Sequence, residues 1–147
     1  MKKSAKLLLT ALLLGGLSSN AMAQDVAKGE KLAKQRCTAC HEIGDSGPKP
    51  IGPSLNGVIG RQAGTAEGFK PSKLAIAAGE ADLVWTEELV AKYLPDPKAF
   101  VVQFLTDAGK ADEAKGAYKM PVKFKKEEDN RDIAAYLATL SAPAKTN

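Results

Sequence analysis

Apolar residues along this chain fall into one dense run near the start and several stretches with helical spacing. The clearest periodic stretch is the last. Ile133, Tyr136, Leu137 and Leu140 sit at i, i+3, i+4 and i+7, behind a first turn of Glu127, Glu128 and Asp129 that suits a helix N-terminus. Near the other end, Asp25 is a candidate N-cap for a helix to about Cys37, with Val26, Gly29, Leu32, Ala33 and Arg36 or Cys37 at roughly helical spacing. Between them, Ser72 and Gly79 bracket a short helix candidate over 73–78, and Thr86 can cap a helix through Leu94 with Glu87 and Glu88 in its first turn. Asp96-Pro97 opens another helix, an N-cap followed by proline at the first helical position, which carries Phe100, Val101, Phe104 and Leu105 and stops near Gly109. From Ile43 to Gly68 the chain holds most of its glycines and several prolines, the composition of irregular loop. No stretch alternates with a two-residue period, so the expected class is all-α, with short helices and long loops.

The dense run, 7–17, is too short to cross a bilayer, which takes about 20 residues. Lys2, Lys3 and Lys6 precede it and Ala21-Met22-Ala23 follows a polar stretch. That is the layout of a secretory leader cleaved after Ala23, so 1–23 is expected to leave and 24–147 to form one domain; an uncleaved membrane anchor is the competing reading. Nothing later is apolar for long enough to span a membrane, so no stable insertion is expected. The formal charge of +4 falls to +1 once the three leader lysines are gone. Overall charge therefore points to neither nucleic acid nor anionic lipid, and any charge-based recognition must come from local clustering.

Loops of this length are uncommon in a compact domain without a reason, and at 5% the aromatic content is low for a core. A large apolar group enclosed by the loops would answer both points. Cys37-Thr38-Ala39-Cys40-His41 is the attachment signature for a c-type haem. Two thiols three residues apart at a helix end can add to the two vinyl groups of one porphyrin, and the next residue, His41, then faces the iron. Competing readings are a thiol redox pair, which usually sits in a strand–helix context; a zinc site, which wants four ligands where this chain has two cysteines and one histidine; and a plain disulfide, which needs no histidine. His41 is the only histidine, so two histidine ligands within one chain are impossible. After leader loss Met120 is the only methionine, 79 residues beyond His41 and just before the last helix. Electron-transfer cytochromes typically hold haem by Met and His. Met120 is thus the candidate second ligand, against a gap-filling core methionine, a lysine ligand or an open sixth site.

Taken together, the stretches 25–41, Gly-Pro-Ser-Leu-Asn-Gly-Val-Ile-Gly-Arg at 52–61, 85–97 and 119–140 resemble the class I cytochromes c, in particular the larger bacterial cytochrome c2 type. The resemblance implies that fold, wrapped around one covalent haem c. It implies that Gly29 lets the first helix approach the last near Tyr136, that Pro53 presents its carbonyl to the free ring nitrogen of His41, and that Arg61 and Trp85 meet a haem propionate. Tyr93 would lie near the Met120 sulfur and tune it. Three departures stand out: Ala33 where the family usually has an aromatic residue, Pro121 directly after Met120, and a stretch over 100–118 much longer than in the mitochondrial form.

In the family, lysines around the haem edge dock acidic partner surfaces. Lys110, Lys115, Lys119, Lys123, Lys125 and Lys126 crowd around Met120, and Lys28, Lys31, Lys34 and Arg36 lie on the first helix; a docking role is favoured for the lysines over 119–126, the alternative being an ordinary solvated face. The function implied is that of a monomeric, periplasmic, non-enzymatic electron carrier. It would serve respiration or photosynthesis between a cytochrome bc-type complex and a terminal oxidase or reaction centre. A haem enzyme or gas-binding sensor with a labile sixth ligand is the alternative, and a haem-free thiol oxidoreductase the third class.

Overall fold

The structure, a computed structural model, describes residues 23–141; nearly all of the expected leader lies outside them. Five helices occur among these residues: α1 Val26–Arg36, α2 Lys73–Glu80, α3 Glu87–Tyr93, α4 Pro97–Asp107 and α5 Glu127–Thr139. Four begin at the polar residues expected. The side chains of Asp25, Ser72, Thr86 and Asp96 accept from the backbone N–H groups of Lys28, Ala75, Leu89 and Ala99, filling donors that no helical carbonyl can reach. α5 has no side-chain cap and relies on its three first-turn acids.

α1 packs across α5, α3 lies against α5, and α2 against α4. The α1–α5 crossing is set by Gly29: a Cβ there would stand 1.9 Å from the Asp132 carbonyl oxygen. The closest approach is therefore one turn before Tyr136, the residue named by the resemblance. Ala33, where the family usually has an aromatic residue, is fully buried and packs in a cluster with Ile133, Ala134, Tyr136 and Leu137. Val26, expected on the buried stripe, is 42% exposed, because α1 turns its first residue outward from the crossing.

A second buried cluster, of Leu74, Ala78, Leu83, Val101 and Leu105 among others, joins α2 to α4. Here α2 runs two residues beyond the expected end. Gly79 is not its terminator but a point of close contact, where a Cβ would meet the Ala63 carbonyl at 2.1 Å.

The long segment between α1 and α2 is irregular, as expected, yet its polar groups are paired. Gly52 N–H donates to the Cys40 carbonyl at 2.8 Å and Leu55 N–H to Glu42 at 2.9 Å. The Asn56 amide spans the loop to both backbone groups of Gly44. An isolated antiparallel bridge between Gln62 and Val84 ties it to the approach to α3.

Candidate functional site

Between the two clusters lies a cleft that encloses about 1340 Å³ of space not filled by protein, part of it open to solvent. Cys37, Cys40, His41, Pro53, Arg61, Trp85, Tyr93 and Met120 all line it. The structure thus brings every site residue inferred from the sequence into one place. Leu55, Val58, Val90, Leu94, Phe124 and Leu137 supply much of its apolar wall.

The helix end does the first positioning. Cys37 caps α1, and the N–H groups of Cys40 and His41 both donate to its carbonyl, at 3.0 and 2.8 Å, so the chain folds back in a tight turn. That turn presents both thiols and the imidazole to the cleft. Burial pushes the Cys37 thiol up to about 11, against a smaller opposing effect of Arg36. Thiol exchange needs a thiolate, so Cys37 is poorly suited to be the attacking thiol of a dithiol pair. Nor do the described residues gather three or more His, Cys, Asp or Glu side chains as zinc would require.

His41 Nδ1 lies 2.8 Å from the Pro53 carbonyl oxygen. A carbonyl only accepts, so Nδ1 carries the proton and Nε2 keeps its lone pair. Burial lowers the imidazole's affinity for a second proton, partly offset by the Pro53 bond, which leaves it neutral and able to ligate. Gly52 makes this possible, since a Cβ there would be 2.5 Å from His41 Cε1.

Elsewhere on the cleft wall, Tyr93 Oη lies 3.3 Å from Met120 Sδ. Trp85 packs edge-on to Tyr93 with ring centroids 4.9 Å apart. Arg61 donates to the carbonyls of Ser54 at 2.6 Å and Asn56 at 3.3 Å, and burial lowers its pKa. Of its five N–H donors, those not so engaged remain for an anionic edge of a ligand.

Two contributors, Tyr118 and Phe69, escaped the sequence reading, and Lys119 was read there only for docking. Tyr118 Oη lies 3.0 Å from Tyr93 Oη, and burial pushes both phenols up, so both are protonated at neutral pH. Lys119 Nζ donates to the Lys70 carbonyl at 2.7 Å and lies 5.3 Å from the centre of the Phe69 ring, joining the Met120 segment to the far loop. Adjacency to Met120 was the only signal available for Tyr118; Phe69 had none. Two thiols, a neutral imidazole with a free lone pair and a thioether, set in apolar walls, form a donor set suited to a covalently attached iron porphyrin.

The sequence model of the cytochrome c family matches residues 26–141. The chain belongs to the cytochrome c family. It is 55% identical over 117 residues to a cytochrome c2 of Rhodopseudomonas palustris, covering 80% of this chain and 99% of that one. Cytochrome c2 iso-2 of Rhodospirillum centenum is 51% identical over 117 residues, 80% of this chain and 96% of that protein. The solved structure of cytochrome c2 from Rhodospirillum centenum superposes with a TM-score of 0.76 at 51% identity, over 80% of this chain and 99% of that one. This cytochrome has the all-α class I fold, and its cofactor is a covalently bound c-type haem. It is an electron carrier that works with redox partners. No helix among the described residues is long and apolar enough to cross a membrane.

Proposed function

We propose that Cys37 and Cys40 would hold the haem through thioethers, that His41 Nε2 and Met120 Sδ would ligate its iron, and that the protein is a periplasmic one-electron shuttle. The observation that carries this reading is that both ligand side chains line one cleft and each is already oriented by a neighbour, His41 by Pro53 and Met120 by Tyr93. Bound there, the haem supplies a one-electron iron couple.

Every other feature belongs to the chain. Pro53 raises the basicity of the imidazole and fixes its plane. Met120 offers a soft sulfur, which favours Fe(II) and raises the potential. Two protein ligands leave no position for a substrate, which favours a carrier over an enzyme or gas sensor. Apolar walls limit the water around the site, and Arg61 and Trp85 would receive the propionates at its edge.

Residues 1–23 are the export leader, and attachment occurs after export. The protein works as a monomer between a cytochrome bc-type complex and a terminal oxidase or photosynthetic reaction centre. Docking relies chiefly on Lys125 and Lys126. Lys123 is neutralised by Asp96 at 2.5 Å, Lys115 by Asp112 at 3.2 Å and Lys110 by Glu113 at 3.6 Å, whereas Lys125 and Lys126 make no ion pair among the described residues. Such potential steers encounter and weakens with salt.

The test is the visible spectrum of the wild-type protein and of Met120→Ala. The wild type should be low-spin when reduced, with the weak far-red Met–Fe(III) band when oxidised; the variant should lose that band and fall in potential. A band that survives in Met120→Ala removes Met120 as ligand. A wild-type high-spin spectrum that responds to carbon monoxide favours the enzyme or sensor reading instead.

A further inference from the structure

We infer that Tyr118 is a positioning residue: by donating its hydroxyl proton to Tyr93 it directs the single Tyr93 proton onto the Met120 sulfur, and so raises the reduction potential. The inference rests on Met120 being a ligand.

The argument is one of proton counting. Tyr93 Oη lies 3.0 Å from Tyr118 Oη and 3.3 Å from Met120 Sδ. Each tyrosine owns one O–H, so Tyr93 cannot donate to both neighbours at once. In one arrangement Tyr118 donates to Tyr93 and Tyr93 donates to the sulfur, and both protons are used. In the other, Tyr93 donates to Tyr118 and the sulfur has no donor. Both hydroxyls are partly buried, where hydrogen bonds kept within the trio are favoured, although sulfur is only a weak acceptor. The first arrangement wins because it seats both protons within the trio and gives the sulfur a donor.

Geometry holds the pair in place. The rings of Tyr93 and Tyr118 meet edge to face with centroids 6.1 Å apart. Tyr93 is further fixed by Trp85 at 4.9 Å and Phe100 at 5.8 Å. Tyr118 packs against the α2–α4 cluster, at the end of the long stretch after α4. That stretch thus delivers a second hydroxyl to a place the cleft wall alone would not supply. Successive hydrogen bonds polarise one another, so the Tyr118 bond strengthens the one from Tyr93 to sulfur. A donor on the sulfur withdraws lone-pair density from the iron, which disfavours Fe(III) and lifts the potential.

The experiment compares Tyr118→Phe, Tyr93→Phe and the double variant by redox titration and by the far-red band of the ferric holoprotein. Tyr118→Phe is expected to keep the band and shift the midpoint potential downward. Tyr93→Phe should shift it further, and adding Tyr118→Phe to Tyr93→Phe should change nothing more. A rise in potential on Tyr118→Phe would mean that Tyr118 had been drawing the proton away from sulfur, and overturns the inference. So does an unchanged potential, or an equal downward shift with and without the Tyr93 hydroxyl. The wild-type band and its loss in Met120→Ala report on the ligand reading separately, before either tyrosine is altered.

Discussion

Replacing Gly29 by alanine tests the α1–α5 crossing on which the floor of the cleft depends. The added Cβ would stand 1.9 Å from the Asp132 carbonyl oxygen and 2.5 Å from its carbon. Both are backbone atoms inside α5, so no side chain can rotate to make room. Restoring an ordinary contact near 3.4 Å requires the helices to separate by about 1.5 Å. That opens the layer in which Ala33 and Ile133 are fully buried. Overpacking of this kind costs about 3 kcal/mol at a rigid site. Alanine's better helix propensity returns about 1 kcal/mol, leaving a net loss of about 2 kcal/mol. For a domain of this size that lowers the melting temperature by about 8 °C. The assay is thermal unfolding of the ferric holoprotein by far-ultraviolet circular dichroism, with the Soret band as a second probe. A variant that melts at or above the parent would show that α1 and α5 are not in backbone contact at Gly29, and the crossing described here would be wrong.

Two further outcomes follow from distances in the site and at the crossing. Gly52→Ala would place a Cβ 2.5 Å from His41 Cε1, so the ring must turn and lose its 2.8 Å bond to Pro53. Losing about 1 kcal/mol of hydrogen bonding to the more charged state of the site should raise the potential by ~40 mV in a redox titration, and a fall would contradict the role given to Pro53. Asp132 is 3% exposed; burial alone would raise its pKa, but Lys28 at 2.9 Å and the Asp25 N–H at 2.9 Å outweigh this and hold it below its ordinary 3.8. A depressed carboxylate contributes stability that is complete above the unfolded value and is lost as pH falls through the lower folded value. Denaturant unfolding between pH 5 and 2 should therefore show a shallower acid loss for Asp132→Asn than for the parent, and parallel curves would refute the pairing.

How much of this was legible beforehand depended on the range of the interaction. Helix starts are local events. Asp25, Ser72, Thr86 and Asp96-Pro97 could be read directly, because a cap bonds to an N–H only three residues away. The end of α2 was misplaced because Gly79 looks like a terminator in one dimension. Its real constraint is the Ala63 carbonyl, a neighbour that only folding supplies. Val26 fitted the apolar spacing of α1 yet is exposed, since periodicity marks a face but not where along that face the partner helix begins.

By itself the chain determined the chemistry: which thiols stand three apart, that one histidine exists, and that a single methionine lies after the prospective leader. Those are properties of composition and spacing, and they hold in any conformation. Tertiary structure decided the rest. Pro53 reaches His41 from twelve positions along the chain, Tyr93 reaches Met120 from the end of α3, and Tyr118 reaches Tyr93 from the long stretch beyond α4. Lysines that look alike along the chain divide into paired and unpaired only once Asp96, Asp112 and Glu113 are set beside them. A ligand can be read from its residue type, but what orients that ligand is a contact between distant segments, and such contacts come into being only when the chain closes around its core.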